Sequence, residues 1–344
     1  MAATRARYLR WTFWAIVLGI VGAVGWSNRV AVVEGIRLLG HAHFGWLMLA
    51  LGAIGLLYLF RSFVYRIPLT LLGYTVPRTF LWEVAVIASA TQQLVPSGGA
   101  SAYAFLTYAL HRRGVSAGRA SLIALIDTIS YAFAAGTLVI IALIYIGLTG
   151  ALDARSLLAF APGTVLAALA VWVYRRQRDR AGFIRLVLRL QKRMARLLGA
   201  RWPEAPVRDF LDEYYRGKAV LARHRGAFLK MIGLQYLAVG CDAGAVYLTF
   251  LAVGAGPSPV VIFLAFVLSM AAGTVVSAPA GGGSFELVMS ATLVRHGMES
   301  AQAVAGTLLF RLVSLWAPVM VSGVLLLDFR RRRKEIRREA SATS

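Results

Sequence analysis

Apolar runs long enough to cross a lipid bilayer recur from one end of the chain to the other, and no other feature constrains the fold as strongly. A crossing helix needs about 20 mostly apolar residues, because each adds about 1.5 Å and the hydrocarbon core is about 30 Å thick. Runs at about 11–27, 44–62, 120–147, 156–174, 228–252 and 301–327 approach or exceed that length. They are continuously apolar and do not alternate with period two, which argues against the strands of a membrane β-barrel. With 59% hydrophobic and 15% charged residues, the chain is predicted to be an all-α polytopic membrane protein with about six full transmembrane helices. The first run, "WTFWAIVLGIVGAVGW", is aromatic-rich and lacks a small-residue cleavage site, so it reads as a retained span and not a signal peptide.

The formal net charge is +22, a value that would suggest nucleic acid in a soluble protein. Here the basic residues cluster between spans, at "RYLR", "RSFVYR", "HRRG", 174–230 and "DFRRRRKEIRRE". That is the positive-inside pattern, with attraction to anionic lipid, and no nucleic-acid partner is expected. Assigning the N-terminus, a loop from Arg61 to Arg78, the segment 174–226 and the tail to the cytoplasm closes six spans consistently. Both termini then lie on the cytoplasmic side of the cell membrane. Residues 181–200 place Leu186, Leu190 and Leu197 against Arg185, Arg189 and Arg193, the pattern of a basic amphipathic helix lying on anionic lipid. A further cytoplasmic helix follows it. Cys241 is the single cysteine, so no intramolecular disulfide forms.

Two apolar regions remain, 79–112 and 259–296, each broken near its middle by Pro-x-Gly-Gly. Their arms, roughly 13 to 17 residues, reach only about 20–25 Å as helices, short for full crossings. Flanking charges put both ends of the first region inside, and the span order puts both ends of the second outside. Two re-entrant helical hairpins entering from opposite faces are expected. Shifting the sequence by 183 aligns 88–126 with 271–309 without gaps and gives eleven identities in 39 positions, Pro96, Gly98, Gly99, Ser101 and Gly114 among them. Composition alone gives roughly 3 or 4. An inverted repeat follows, about 44–147 and 228–327, within one membrane domain of residues 1–330. A basic cytoplasmic segment at about 175–226 lies between the copies, and a basic tail at 331–344 ends the chain. Such repeats are a transporter architecture, with the working site where broken helices meet.

Broken backbone within a bilayer needs partners for its freed amides and carbonyls. Glycine allows the turn, and proline cannot continue the helical ladder. Free amides where the next helix begins, near Ser101 and Ser284, suit an anion such as a phosphate. A tight turn that lets helices pack closely is the other reading. Ionisable residues inside apolar segments are costly and mark candidate sites: Glu83, Asp127, Asp242, Glu286 and Arg311. Glu286 follows the second tip and is expected to pair with Arg311, either to serve a lipid headgroup or only to orient helices. Asp127 falls one residue from Arg311 under the repeat shift. Gln92 and Gln93 precede the first tip and are suited to freed carbonyls or a headgroup. No metal-ligand spacing, nucleotide fingerprint or catalytic triad is seen, so no cofactor, no metal and no enzyme activity are expected.

The stretches "LVPSGGASAYAFLTYALHRRGVSAGRA" and "SAPAGGGSFELVMSATLVRHGMESAQAVAGTLLFRLVSLW" resemble the lysylphosphatidylglycerol synthase transmembrane family. This is the flippase-like membrane domain also found at the N-terminus of bacterial multiple peptide resistance factors. The family's later motif is matched by Pro279, Gly281, Gly282, Gly283, Glu286, Arg311 and Trp316. The resemblance implies a cytoplasmic membrane protein that moves, or helps move, a phospholipid or polyprenyl-linked lipid between leaflets. Nothing resembling the aminoacyl transferase of the fused proteins follows residue 330, so lipid lysylation is not expected. The first repeat departs from the motif, with Asp127 and Thr128 where the second has Phe310 and Arg311. A lipid flippase-like transporter is the leading expectation, its headgroup site drawing on Arg311, Glu286, Ser284, Ser101, Gln92, Asp127 and the residues of both tips. A non-catalytic partner of a lipid-modifying enzyme or glycosyltransferase, and a membrane-embedded transferase, are the alternatives. A homo-oligomer is compatible with each.

Overall fold

A computed structural model describes residues 37–38, 40–95, 99–148, 175, 179–198, 204–276 and 283–327. The expected spans at 11–27 and 156–174 and the basic tail lie outside these residues, as do the tip residues Pro96, Gly98, Pro279, Gly281 and Gly282. The described residues are all-helical: α1 Phe44–Leu71, α2 Arg78–Leu94, α3 Ala100–His111, α4 Ala117–Leu148, α5 Arg180–Leu198, α6 Glu204–Ala222, α7 Arg225–Ala252, α8 Pro259–Val276, α9 Ser284–Arg295 and α10 Ser300–Arg311. A π-helical turn, Leu312–Trp316, extends α10, and the helix runs on to Leu327. Among the described residues four helices are long and apolar enough to cross a bilayer: Phe44–Leu71, Ala117–Tyr145, Arg225–Ala252 and Ser300–Leu327. The chain is a polytopic membrane protein.

One boundary differs from the sequence reading in a way that matters. The loop expected from Arg61 to Arg78 is helix as far as Leu71, with Pro68 inside it. Arg61 therefore sits within a span and not at its edge. A charged residue persists there because other helices supply polar partners, the condition under which a membrane interior tolerates one. The connection to α2 is only residues 72–77, closed by Gly73 at φ 82°.

Each Pro-x-Gly-Gly region yields two helices shorter than a full crossing. Helices α2 and α3 span 17 and 12 residues, and α8 and α9 span 18 and 12. Helices α2 and α3 fold back on one another: Ser101 Oγ donates to Thr91 O at 3.2 Å near the tip, and the Arg113 guanidinium lies 4.3 Å from the Phe80 ring centroid at the base. Both short arms start from a glycine in the left-handed region, Gly99 at φ 92° and Gly283 at φ 81°. A side chain there costs roughly 1–2 kcal/mol, so glycine is required at these two corners. The arms bury equivalent positions, Leu106 and Leu110 in α3, Met289 and Leu293 in α9, at the offset of 183 read from the sequence.

The chain divides into two compact units. The unit containing Leu56–Gln92 and Ser97–Val239 has a core of Tyr65, Leu69, Leu81, Leu110, Leu122 and Ile123. The start of α4 packs closely on α6. A Cβ on Gly118 would collide with Phe210 O, and one on Gly217 would lie 2.8 Å from Leu122 Cδ2. Helix α5 is fastened to α6 by an Arg180–Asp212 ion pair at 2.6 Å and by Phe183 edge-on to Tyr215. Burial holds the Tyr215 phenol above its usual pKa, opposed by Arg180. The unit containing Gly240–Met320 has Phe250, Phe266, Met289 and Leu293 at its core. Its helices α7 and α10 meet where Gly306 receives the Phe250 ring, leaving no room for a Cβ. Small residues that let helices approach closely are a recurring solution in membranes, where lipid competes for every apolar contact.

Candidate functional site

Two groups of polar side chains stand inside the helices, one in each unit. The first begins at the second hairpin tip. Gly283 turns the chain into α9, and Glu286 falls in the first turn, where a carboxylate is favoured by the unpaired amides and the positive end of the helix dipole. Arg311 ends α10 immediately before the π turn. Its Nε donates to Glu286 Oε1 at 2.6 Å, a short charge-assisted bond. The Arg311 guanidinium also lies 4.1 Å from the Phe285 ring centroid. Phe285 stacks on Phe310 with centroids 5.8 Å apart, and Phe266 meets both edge-on. An aromatic wall thus fixes one side of the guanidinium, and cation–π attraction adds to the ion pair.

The pair is only partly enclosed, with 11% of the Arg311 side chain and 29% of the Glu286 side chain exposed. Glu286 Oε2 is nevertheless buried and has no hydrogen-bond partner among the described residues. A buried carboxylate oxygen without a donor is costly, so the site has capacity for an N–H or O–H. The π turn beside Arg311 widens the helix and disturbs its regular bonding, a feature frequent at functional sites. Gln93 Nε2, at the end of α2, donates at 3.4 Å to Ser314 O within that turn.

The second group is centred on Asp127 in α4, which is 9% exposed. Gln235 of α7, fully buried, donates to Asp127 Oδ1 at 2.8 Å. Ser130 Oγ donates to the Asp127 carbonyl at 3.0 Å. Arg61 of α1 donates from Nη1 to Ser89 Oγ of α2 at 2.6 Å, stands 5.5 Å from the Tyr131 ring centroid, and lies in the field of the Asp127 carboxylate. Four helices therefore converge on one acid and one base. Arg61 Nε and Gln235 Oε1 are buried without hydrogen-bond partners among the described residues.

The remaining sequence candidates fall as follows. Gln92 is exposed, while its neighbour Gln93 makes the Ser314 contact. Ser101 Oγ bonds back to Thr91 O. Ser284 opens α9. Tyr103, at the repeat position of Glu286, hydrogen-bonds Ser121. Glu83 and Asp242 are half-buried, and Trp316 is exposed at the end of the π turn. Sequence reasoning missed Arg61, Ser89, Gln235 and Ser130. A glutamine inside an apolar span was the available signal for Gln235. Arg61 gave none, because it stands in a cluster of basic residues that resembles a membrane-edge loop. Among the described residues no group of three or more His, Cys, Asp and Glu side chains could hold a metal ion.

Described residues that are all-helical, with four long apolar helices and ionisable side chains set among them, define a multi-pass membrane protein with polar groups inside its spans. Residues 12–322 match the family described as lysylphosphatidylglycerol synthase TM region, and the chain belongs to that family. It is also similar to the UPF0104 membrane protein PH1989 of Pyrococcus horikoshii, 30% identical over 125 residues. That match covers 36% of this chain and 36% of the relative, so the chain spans about a third of the length of the curated relative it matches.

Proposed function

We propose that this protein moves, or helps move, a phospholipid or polyprenyl-linked lipid between the leaflets of the cytoplasmic membrane. The observation that carries the reading is the Arg311–Glu286 pair: a guanidinium set against an aromatic wall beside a broken-helix tip, next to a buried carboxylate oxygen that lacks a donor. Such a pair matches a zwitterionic or hydroxylated phosphate headgroup. Arg311 takes the phosphate, for which guanidinium is well suited, and Glu286 takes the headgroup ammonium or hydroxyl. Exchange of the internal pair for the headgroup keeps both charges compensated throughout, which limits the cost of desolvating them.

The family supports this reading, since its domain is linked to lipid flipping. The order of helix lengths supports the repeat: 28, 17, 12 and 32 residues for α1 to α4, against 28, 18 and 12 for α7 to α9 and 28 for Ser300–Leu327. In this reading the two helical hairpins are re-entrant, the repeats are inverted, and both termini are cytoplasmic. The chain acts as a carrier and not as an enzyme, and α5 rests on anionic lipid. Purified protein in liposomes containing fluorescent lipids tests the proposal, with reduction of outer-leaflet label by dithionite as the readout. Acceleration over protein-free vesicles for at least one headgroup is the expected result. Absence of acceleration for every headgroup class overturns it.

A second reading is favoured by the closeness of the pair at 2.6 Å: a static ion pair that orients helices in a non-transporting partner of a lipid-modifying enzyme or glycosyltransferase. Co-purification with such an enzyme, without lipid movement by the pure protein, distinguishes it.

A further inference from the structure

The C-terminal part of α1 and the first turns of α7 enclose a groove of about 930 Å³ within one unit. Phe63, Ile67 and Leu71 line it from α1, and Leu234 and Leu237 from α7. Leu237 is 53% exposed. On the α7 side a Cβ built on Gly226 or Gly233 meets nothing within 4 Å, so the groove is open above both glycines. Three basic side chains stand in the same lining, Arg66, Lys230 and His224. The His224 ring bonds Val220 O through Nδ1. The Arg66 carbonyl accepts from Thr70 Oγ1, but the side chains of Arg66 and Lys230 have no hydrogen-bond, ion-pair or ring partner among the described residues.

We infer that this groove binds one anionic phospholipid, its phosphate held by Arg66 and Lys230 and an acyl chain lying along the apolar wall. Charge selects the occupant. Among the described residues the lining contains no Asp or Glu, so the two cations in this cleft repel each other until an anion enters. Arg offers a fork to phosphate oxygens, and Lys adds a mobile point charge. Both stand near the ends of spans, α1 ending at Leu71 and α7 starting at Arg225, which is the depth of a headgroup. Phe63, Leu234 and Leu237 lie further into the spans than the two cations, which is the depth of an acyl chain, and an open groove between helices offers it van der Waals contact on two sides. None of these residues belongs to the Arg311 site, and the inference holds whether or not the protein moves lipid.

The test uses the full chain in phosphatidylcholine vesicles doped with a phosphatidylglycerol or phosphatidylcholine probe carrying a diazirine on one acyl chain, with labelled peptides mapped by mass spectrometry. Phosphatidylglycerol is expected to label the peptides of Phe63–Leu71 and Leu234–Leu237 about twenty-five-fold more than phosphatidylcholine, since each of the two cations near a membrane surface contributes about a fivefold preference. Unlabelled phosphatidylglycerol competes; inorganic phosphate does not. Arg66→Gln with Lys230→Gln lowers labelling to the phosphatidylcholine level while labelling elsewhere on the chain is kept. Leu234→Trp fills the groove, keeps both cations, and removes labelling as well. Equal labelling by the two probes, or full labelling of the double variant, overturns the inference. So does a Leu234→Trp variant that retains labelling but converts a dimer to a monomer in light scattering, because a second copy of the chain is then the occupant.

Discussion

Gln235 Nε2 reaches Asp127 Oδ1 at 2.8 Å across 108 residues of chain, and through this bond α7 holds a carboxylate whose charge opposes that of Arg61. The two helices that carry them, α4 and α7, are long enough to cross the bilayer, so neither side chain finds bulk water as an alternative partner.

Asp127→Asn keeps the shape of the site and removes the negative charge that opposes the half-buried Arg61. Removing one charge of a direct buried pair costs about 3–5 kcal/mol, whereas replacing both charged residues by apolar ones is often nearly neutral. A large fall in the thermal midpoint in detergent is expected for Asp127→Asn. Substantial recovery is expected for Arg61→Leu combined with Asp127→Leu. Equal midpoints for the wild type and Asp127→Asn contradict the compensation.

The Arg311–Glu286 pair is partly accessible, at 11% and 29% exposure. In the liposome assay, Arg311→Ala is expected to abolish lipid translocation with the protein still monodisperse. Arg311→Lys keeps the charge but loses the fork and the stack on Phe285, so partial activity is expected. If Arg311→Ala moves lipid at the wild-type rate, the pair is structural.

Glu286→Gln keeps an acceptor oxygen and loses the charge. Selectivity is the measurement: headgroups with an ammonium or several hydroxyls are expected to lose translocation about tenfold or more, in line with a lost charge-assisted bond of about 1.5–3 kcal/mol. Headgroups without such donors change less. A uniform loss across headgroups assigns Glu286 to holding Arg311 alone.

Gly306 admits the Phe250 ring where α10 crosses α7. Gly306→Leu is expected to lower the midpoint strongly, since the collision is with a fully buried ring. Phe250→Ala costs stability alone but is expected to restore part of the Gly306→Leu loss, the non-additivity of directly touching residues. Additive losses contradict the contact.

Gly118 lies against the backbone of α6 at Phe210, and backbone cannot yield as a side-chain tip does. Gly118→Val is expected to detach α6 from α4 and to expose Glu204–Ala222 to added trypsin. Faster cleavage there than in the wild type, with the rest of the chain still protected, is the outcome that supports the contact.

Much of this protein was legible without coordinates. Continuous apolar runs dictate helices, since only a helix satisfies its own backbone in lipid, and α4, α7 and the helix through α10 begin within three residues of where the runs place them. Glu286 and Arg311 were legible as candidates because a charge in an apolar segment stands out, and the positive-φ corners because glycine at Gly99 and Gly283 is the residue such a turn demands. The basic cluster "RSFVYR" was misleading, because charge density on a one-dimensional string cannot tell a membrane edge from a guanidinium facing inward. Only the tertiary fold decided that Arg61 turns toward Ser89, Tyr131 and Asp127, that Gln235 closes on Asp127, and that Gln93 meets Ser314 across 221 residues. Periodicity and composition report which surface of a helix is apolar. Which polar groups from distant segments meet in the interior depends on helix packing and on closures at glycines such as Gly306 and Gly118, and no local pattern in the chain encodes those distances.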